Sequence, residues 1–175
     1  MILETERLTL RPYRDSDTAA VHAYKSDPVV SRFADFEPHS PDDTERFVAF
    51  TQDASHDVMS LAVTIRGEDV VIGGVACWPT EPGVYEMAWE FRRDAWGHGY
   101  ATEAAKALLG AVAATGSARS FVAHCQPENR ASVRVMEKLG MALVRSGRLD
   151  RESKGQLVDT SYFEVEAPTS GSVPA

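Results

Sequence analysis

Hydrophobic and polar positions alternate from Arg7 to Arg11, the pattern of a half-buried strand, and Pro12 ends it. The period then changes. Ala19, Ala20, Ala23 and Tyr24 recur at helical spacing between a cap at Ser16 or Asp17 and a stop at Pro28. A second helix is announced by "HSPDDTERFVAF", with Ser40 as N-cap, Pro41 in the first helical position and Asp42 and Asp43 in the positive-ended first turn. Between the two helices, Phe33 and Phe36 either join the core or wall a pocket.

From Met59 the period is that of strands: "SLAVTI", "VVIGGVACW" and "VYEMAWEF", separated by turns at 66–69 and 79–83, predict an antiparallel meander. Gly73-Gly74 inside a strand marks a bulge or a close approach of chain to chain. An apolar stripe of Ala101, Ala104, Ala105, Leu108, Leu109 and Val112 predicts a helix that stops at Thr115-Gly116. A strand "SFVAHC", a helix over 130–139 and two strands at 142–148 and 158–165 complete the pattern. A meander followed by alternating helices and strands predicts an α+β (mixed α/β) domain with a mixed sheet covered by helices. We expect one domain over 1–166 and a flexible tail over 167–175, "APTSGSVPA".

Charge and cysteine usage narrow the function. Lys and Arg total 18 against 26 Asp and Glu, a net charge of -8. That argues against nucleic acid or an anionic membrane as partner, so any bound anion must be caught locally. Cys77 and Cys125 lack metal-ligand spacing and read as buried thiols in a reducing compartment, with no metal site. The N-terminal segment is charged and no apolar run reaches membrane length, so the expected setting is cytoplasmic.

The stretch "AWGHGYATEA" (95–104) places two glycines one residue apart at the entrance to a helix. Glycine there serves turn geometry alone, or it lets main-chain amides at a helix N-terminus hold a diphosphate. A dinucleotide fingerprint fits poorly, because Thr102 stands where it wants Gly or Ala and no Asp or Glu ends the strand "SFVAHC"; a P-loop fails for want of Gly-Lys-Ser/Thr.

"WGHGYATEA" followed by "QPENRASVRVMEKLGM" resembles the acetyl-CoA-binding motif and the Asn-x-x-Ser element of the GNAT (GCN5-related N-acetyltransferase) superfamily, in its RimJ/RimL-like branch. The resemblance spans the chain to about residue 166. It implies a mostly antiparallel central sheet flanked by helices, acetyl-CoA as co-substrate and an amine acceptor, either a protein N-terminus or a small molecule. It further implies that the amides of Gly97, His98, Gly99, Tyr100, Ala101 and Thr102 hold the diphosphate. The main chain of Trp89, Glu90 and Phe91 would pair with pantetheine, Asn129 would bond its amides, and Ser132 would lie near the sulfur. Trp96 stands where the family usually has Gln or Arg. A row of Arg130, Arg134 and Lys138 on one helix face either meets the CoA phosphates or is a solvated stripe.

Acetyl transfer to an amine needs a base, an oxyanion donor and a proton for the leaving thiolate, with no protein nucleophile. Glu86, His124 and Glu90 are the candidate bases, against the plainer readings of exposed strand glutamates, a core histidine and a water chain. Ser132 or solvent supplies the proton, because Met136 occupies the place of the tyrosine some relatives use. The expected enzyme transfers acetyl directly within a ternary complex. The alternatives are a non-catalytic CoA-binding regulatory module and a nicotinamide or flavin nucleotide enzyme. A homodimer is left open.

Overall fold

Eight strands and four α-helices among the described residues build the fold. The structure is a computed structural model and describes residues 1–168. Strands β1 (Leu3–Glu4) and β2 (Leu8–Arg11) lead to helices α1 (Thr18–Lys25) and α2 (Pro41–Gln52). The meander follows as β3 (Met59–Ile65), β4 (Val71–Glu81) and β5 (Val84–Phe91). Helix α3 (Tyr100–Ala113), strand β6 (Ser120–Cys125), helix α4 (Arg130–Lys138) and the hairpin β7 (Ala142–Ser153) and β8 (Gln156–Glu166) complete it. One eight-stranded sheet runs β1-β2-β3-β4-β5-β6-β8-β7, antiparallel except where β5 meets β6. The expected α+β architecture with a mostly antiparallel sheet is the observed one.

Local signals act at the positions that carry them. Ser40 caps α2 as half of a capping box: its Oγ accepts from the Asp43 N–H at 3.2 Å, while its own N–H donates to Asp43 Oδ2 at 3.0 Å. Asp17 behaves differently from the cap expected at α1. Its carboxylate accepts both terminal nitrogens of buried Arg11 at 2.8 Å and the Arg14 N–H at 2.8 Å, so it ties strand to helix instead of capping α1. Both meanings of Gly73-Gly74 hold. The register of β3 on β4 shifts between Val63 and Thr64, and a Cβ on Gly74 would collide with the Tyr13 hydroxyl.

The hairpin is longer than the sequence pattern indicated. β7 runs to Ser153 and β8 starts at Gln156, turning at Lys154 (φ 51°) and Gly155 (φ 73°). Nearly every β7 side chain is exposed, so that strand carries no apolar alternation to read. Ala167, the first residue of the expected tail, donates its N–H to the Arg119 carbonyl at 2.7 Å, while residues 169–175 lie outside the described ones.

The sheet is covered on both faces. Leu8, Leu10, Val63, Met87 and Phe121 pack with Ala104, Ala105, Leu108 and Val112 of α3 in the larger core, and Tyr13, Val21, Tyr24, Val48 and Val71 form the smaller one with α1 and α2. No helix among the described residues is long and apolar enough to cross a membrane. What positions the site is the parallel pair: β5 and β6 are joined only at Val84–Glu86 with Ser120–Val122 and part beyond it.

Candidate active site

Where β5 and β6 part, a cavity of about 1010 Å³ opens. Both strands line it, with the loop before α2, the start of α4 and the β7–β8 hairpin. Separation of the strands leaves main-chain groups of β5 without a ladder partner on that side. Arg92 donates its N–H to the Ile72 carbonyl at 3.0 Å, which fixes the phase of the β4–β5 ladder. Alternation then turns the amides and carbonyls of Glu86, Ala88 and Glu90 to β4, and those of Met87, Trp89 and Phe91 to the β6 side. Of the three residues expected to pair with pantetheine, Trp89 and Phe91 therefore offer main-chain groups to the opening, and Glu90 does not. The Phe91 carbonyl is already taken by the Trp96 indole N–H at 2.7 Å. The unusual tryptophan thus pins the glycine loop to the end of β5.

The loop itself is built for amide donation. Gly97 (φ 80°) and Gly99 (φ 81°) sit in the left-handed region that side chains resist, and Gly99 is the N-cap of α3. The first amide to find a helical partner is that of Glu103, which donates to the Gly99 carbonyl at 3.1 Å. Among the described residues, none accepts a hydrogen bond from the six consecutive amides of Gly97 to Thr102. Set at a helix N-terminus, they form a run of donors with the positive end of the helix dipole behind them.

The candidate bases are sorted by their partners. His124 Nδ1 lies 2.7 Å from Glu86 Oε1, so two candidates that the sequence sets in competition form one pair, each about one-fifth exposed. Glu90 is engaged elsewhere. Its Oε1 lies 2.5 Å from the ammonium of Lys25, a side chain only 3% exposed whose charge also rests over the rings of Phe36 and Phe47 at 4.1 and 3.9 Å. Glu90 is thereby tied to a buried lysine rather than to the Glu86–His124 pair.

At the start of α4, Asn129 is the helix cap: its Oδ1 accepts the Ser132 N–H at 3.2 Å, leaving its amide NH₂ to donate. Ser132 lines the cavity, and capping is the work of Asn129 rather than its own. Arg130, Arg134 and Lys138 are exposed, with Arg130 at the cavity. Desolvation pushes the Cys77 thiol up to about 12 and, with help from Glu128, the Cys125 thiol up to about 11. Both stay protonated at neutral pH, the opposite of an activated nucleophile.

The sequence model described as "Acetyltransferase (GNAT) domain" matches residues 7–142. The chain belongs to the GNAT acetyltransferase family. It is 32% identical over 142 residues to the N-acetyltransferase YnaD of Bacillus subtilis, covering 81% of this chain and 82% of that one. It is 27% identical over 168 residues to the N-acetyltransferase p20 of Bacillus licheniformis, covering 93% and 94%. A GNAT-family acetyltransferase from Bacillus anthracis superimposes with a TM-score of 0.88 at 29% identity, over 95% of this chain and 99% of that one. The fold is shared at 17% identity with the spermidine N-acetyltransferase of Vibrio cholerae solved with CoA and spermine, with a TM-score of 0.80 over 93% and 97% of the two chains. The protein is thus an acetyl-CoA-dependent N-acetyltransferase of the GNAT type.

Within this GNAT domain, Phe33 and Phe36 are settled as pocket wall. Beside them is a strap the sequence did not reveal. Arg151 of β7 binds Asp35 in bidentate fashion at 2.6 and 2.5 Å, and Lys154 donates to the Ser31 carbonyl at 2.7 Å. The hairpin is thereby laced to the segment before α2 at the end of the cavity nearest the Glu86–His124 pair. Asp35 is held below its ordinary value: burial opposes this, but the hydrogen bonds from Arg151 and Ser153 and the Arg151 charge prevail. No local motif signals partners 116 residues apart.

Proposed function

We propose that this enzyme transfers acetyl directly from acetyl-CoA to a primary amine within a ternary complex, in the reducing cytoplasm. The observation that carries the reading is the run of six unclaimed amides from Gly97 to Thr102, opening beside the gap between β5 and β6. Those donors suit a diphosphate, and the Trp89 and Phe91 main chain suits the amide-bearing arm attached to it, so acetyl-CoA fits the residues present. Its thioester is the activated acyl group; the chain's own residues position it and move protons.

In this reading the amine enters from the strapped end and meets the pair. Glu86 accepts the Nδ1–H of His124, which fixes the tautomer and leaves Nε2 with a lone pair to receive the amine proton; the carboxylate then stabilises the imidazolium. A β5 amide facing the opening donates to the developing oxyanion. The Ser132 hydroxyl donates a hydrogen bond to the leaving sulfur and relays to it a proton taken up from solvent, so CoA departs as the thiol, while the imidazolium returns its proton to solvent. Holding the reactants together supplies most of the acceleration, with the proton transfer adding about 10²- to 10⁴-fold.

The acceptor is a protein α-amine or a small amine. A structural neighbour named RimL acts on ribosomal protein L7/L12, and another acts on spermidine. The test is release of free CoA over a panel of amines and N-terminal peptides. Turnover with at least one amine is expected; CoA binding without turnover on any of them makes the protein a binding module instead.

A further inference from the structure

An unassigned contact joins the N-terminal segment to the glycine loop. Between β1 and β2, Arg7 reaches Glu103 of α3: Nε lies 2.7 Å and a terminal nitrogen 2.6 Å from Oε2. Glu103 Oε1 accepts the Arg7 main-chain N–H at 3.0 Å and the Thr5 hydroxyl at 2.6 Å. The other terminal nitrogen of Arg7 donates to the His98 carbonyl at 3.0 Å, and the guanidinium lies 4.9 Å from the centre of the Tyr100 ring.

Each contact bears on the loop. Glu103 is a carboxylate one turn into α3, where an unrestrained glutamate is drawn back onto first-turn amides and repels any anion placed there. Arg7 and Thr5 occupy both of its oxygens and set a positive charge against its negative one. The bond to the His98 carbonyl acts on geometry. The His98–Gly99 peptide is planar and trans, so a carbonyl drawn toward Arg7 aims the Gly99 N–H the opposite way. One side chain thus frees the amides of a competing carboxylate and orients one of them.

We propose that Arg7 is a positioning residue for acetyl-CoA binding, acting through Glu103 and the His98–Gly99 peptide. This rests on the reading that the 97–102 amides hold the diphosphate. Arg7 itself need not touch the ligand.

The test is calorimetric titration with CoA of the wild type, Arg7→Met, Glu103→Gln, the Arg7→Met/Glu103→Gln double variant and Gly99→Val, with thermal melts confirming that each is folded. Arg7→Met should bind CoA about tenfold more weakly, the effect of roughly one lost charge-assisted contact. The double variant should recover part of that loss, because the carboxylate left uncompensated is gone while the bond to the His98 carbonyl is still missing. With the amine found in the panel, Arg7→Met should raise KM for acetyl-CoA at unchanged kcat and leave kcat/KM for S-acetylpantetheine, which lacks the diphosphate, unchanged. Arg7→Met with wild-type affinity overturns the proposal, as does a double variant no better than Arg7→Met. Gly99→Val separates the two readings. Unaltered CoA affinity there removes the diphosphate from the loop, whereas a loss in Gly99→Val beside wild-type affinity in Arg7→Met leaves the loop in place and refutes only the role of Arg7.

Discussion

Glu86 and His124 face each other at 2.7 Å across the last rung that β5 and β6 share, Glu86 within the paired segment and His124 two residues past Val122, its partner in register. A carboxylate–imidazole pair at that spot behaves as a unit, and the two single variants should show it. Glu86→Gln and His124→Ala are each expected to lower kcat by about 10²-fold or more, with the double variant little worse than either, because removing one member disables the other. Steady-state kinetics at saturating acetyl-CoA measures this; multiplicative losses would mean that the two act separately.

The strap between Asp35 and Arg151 lies at the end of the cavity proposed to receive the amine. Arg151→Gln should loosen it and raise kcat/KM for bulky amines relative to small ones, while CoA affinity stays within about twofold, less than 0.5 kcal/mol. A uniform fall across all amines in the panel would show that the strap serves stability and not selection.

Asp17 makes a stability prediction with a sign. Burial raises its pKa, but the Arg11 hydrogen bond, the Arg14 N–H and the two positive charges outweigh that, and the folded value lies below the unfolded one. A depressed acid contributes stability above its unfolded pKa, about 4, and loses that contribution as pH falls through the folded value. Asp17→Asn leaves the buried Arg11 charge poorly paired and should cost roughly 3 kcal/mol at pH 7. In urea titrations the gap between variant and wild type should shrink below about pH 4.

The two cysteines test direct transfer. With thiols pushed up to about 12 and about 11, neither Cys77 nor Cys125 should carry an acetyl group after incubation with acetyl-CoA and no amine, read by intact-protein mass spectrometry. Cys125→Ala should retain activity within a few-fold. An acetylated cysteine that passes its acetyl group to an added amine would replace the ternary complex with a two-step route.

What was legible in the chain was local. The capping box of α2, the meander and the loop at 97–102 each announce themselves within about ten residues, through side chains or glycines whose effect falls on their own backbone. What was illegible was assembled at a distance. Glu86 and His124 looked like competitors because nothing in either segment says that β5 and β6 are neighbours over three rungs only. Glu90 looked available because Lys25 lies on another element, and Arg7 looked like an ordinary strand residue until α3 docked Glu103 onto it. The full length of β7 escaped for a different reason: an edge strand exposed along nearly all its length has no inside and outside to alternate between.

The two halves of the cavity differ in what they are made of. In the proposed reading its donor end relies largely on peptide groups, which every residue except proline can supply as donors, so many substitutions in the 97–102 loop would pass unnoticed as long as the glycines keep the bend. The acceptor end is furnished by side chains on a hairpin and a preceding loop, where each replacement alters shape or charge. Exchanging one amine for another should accordingly be a matter of redecorating Phe33, Asp35, Phe36 and Arg151 on an untouched chassis, an operation suited to lineages that meet new amines often.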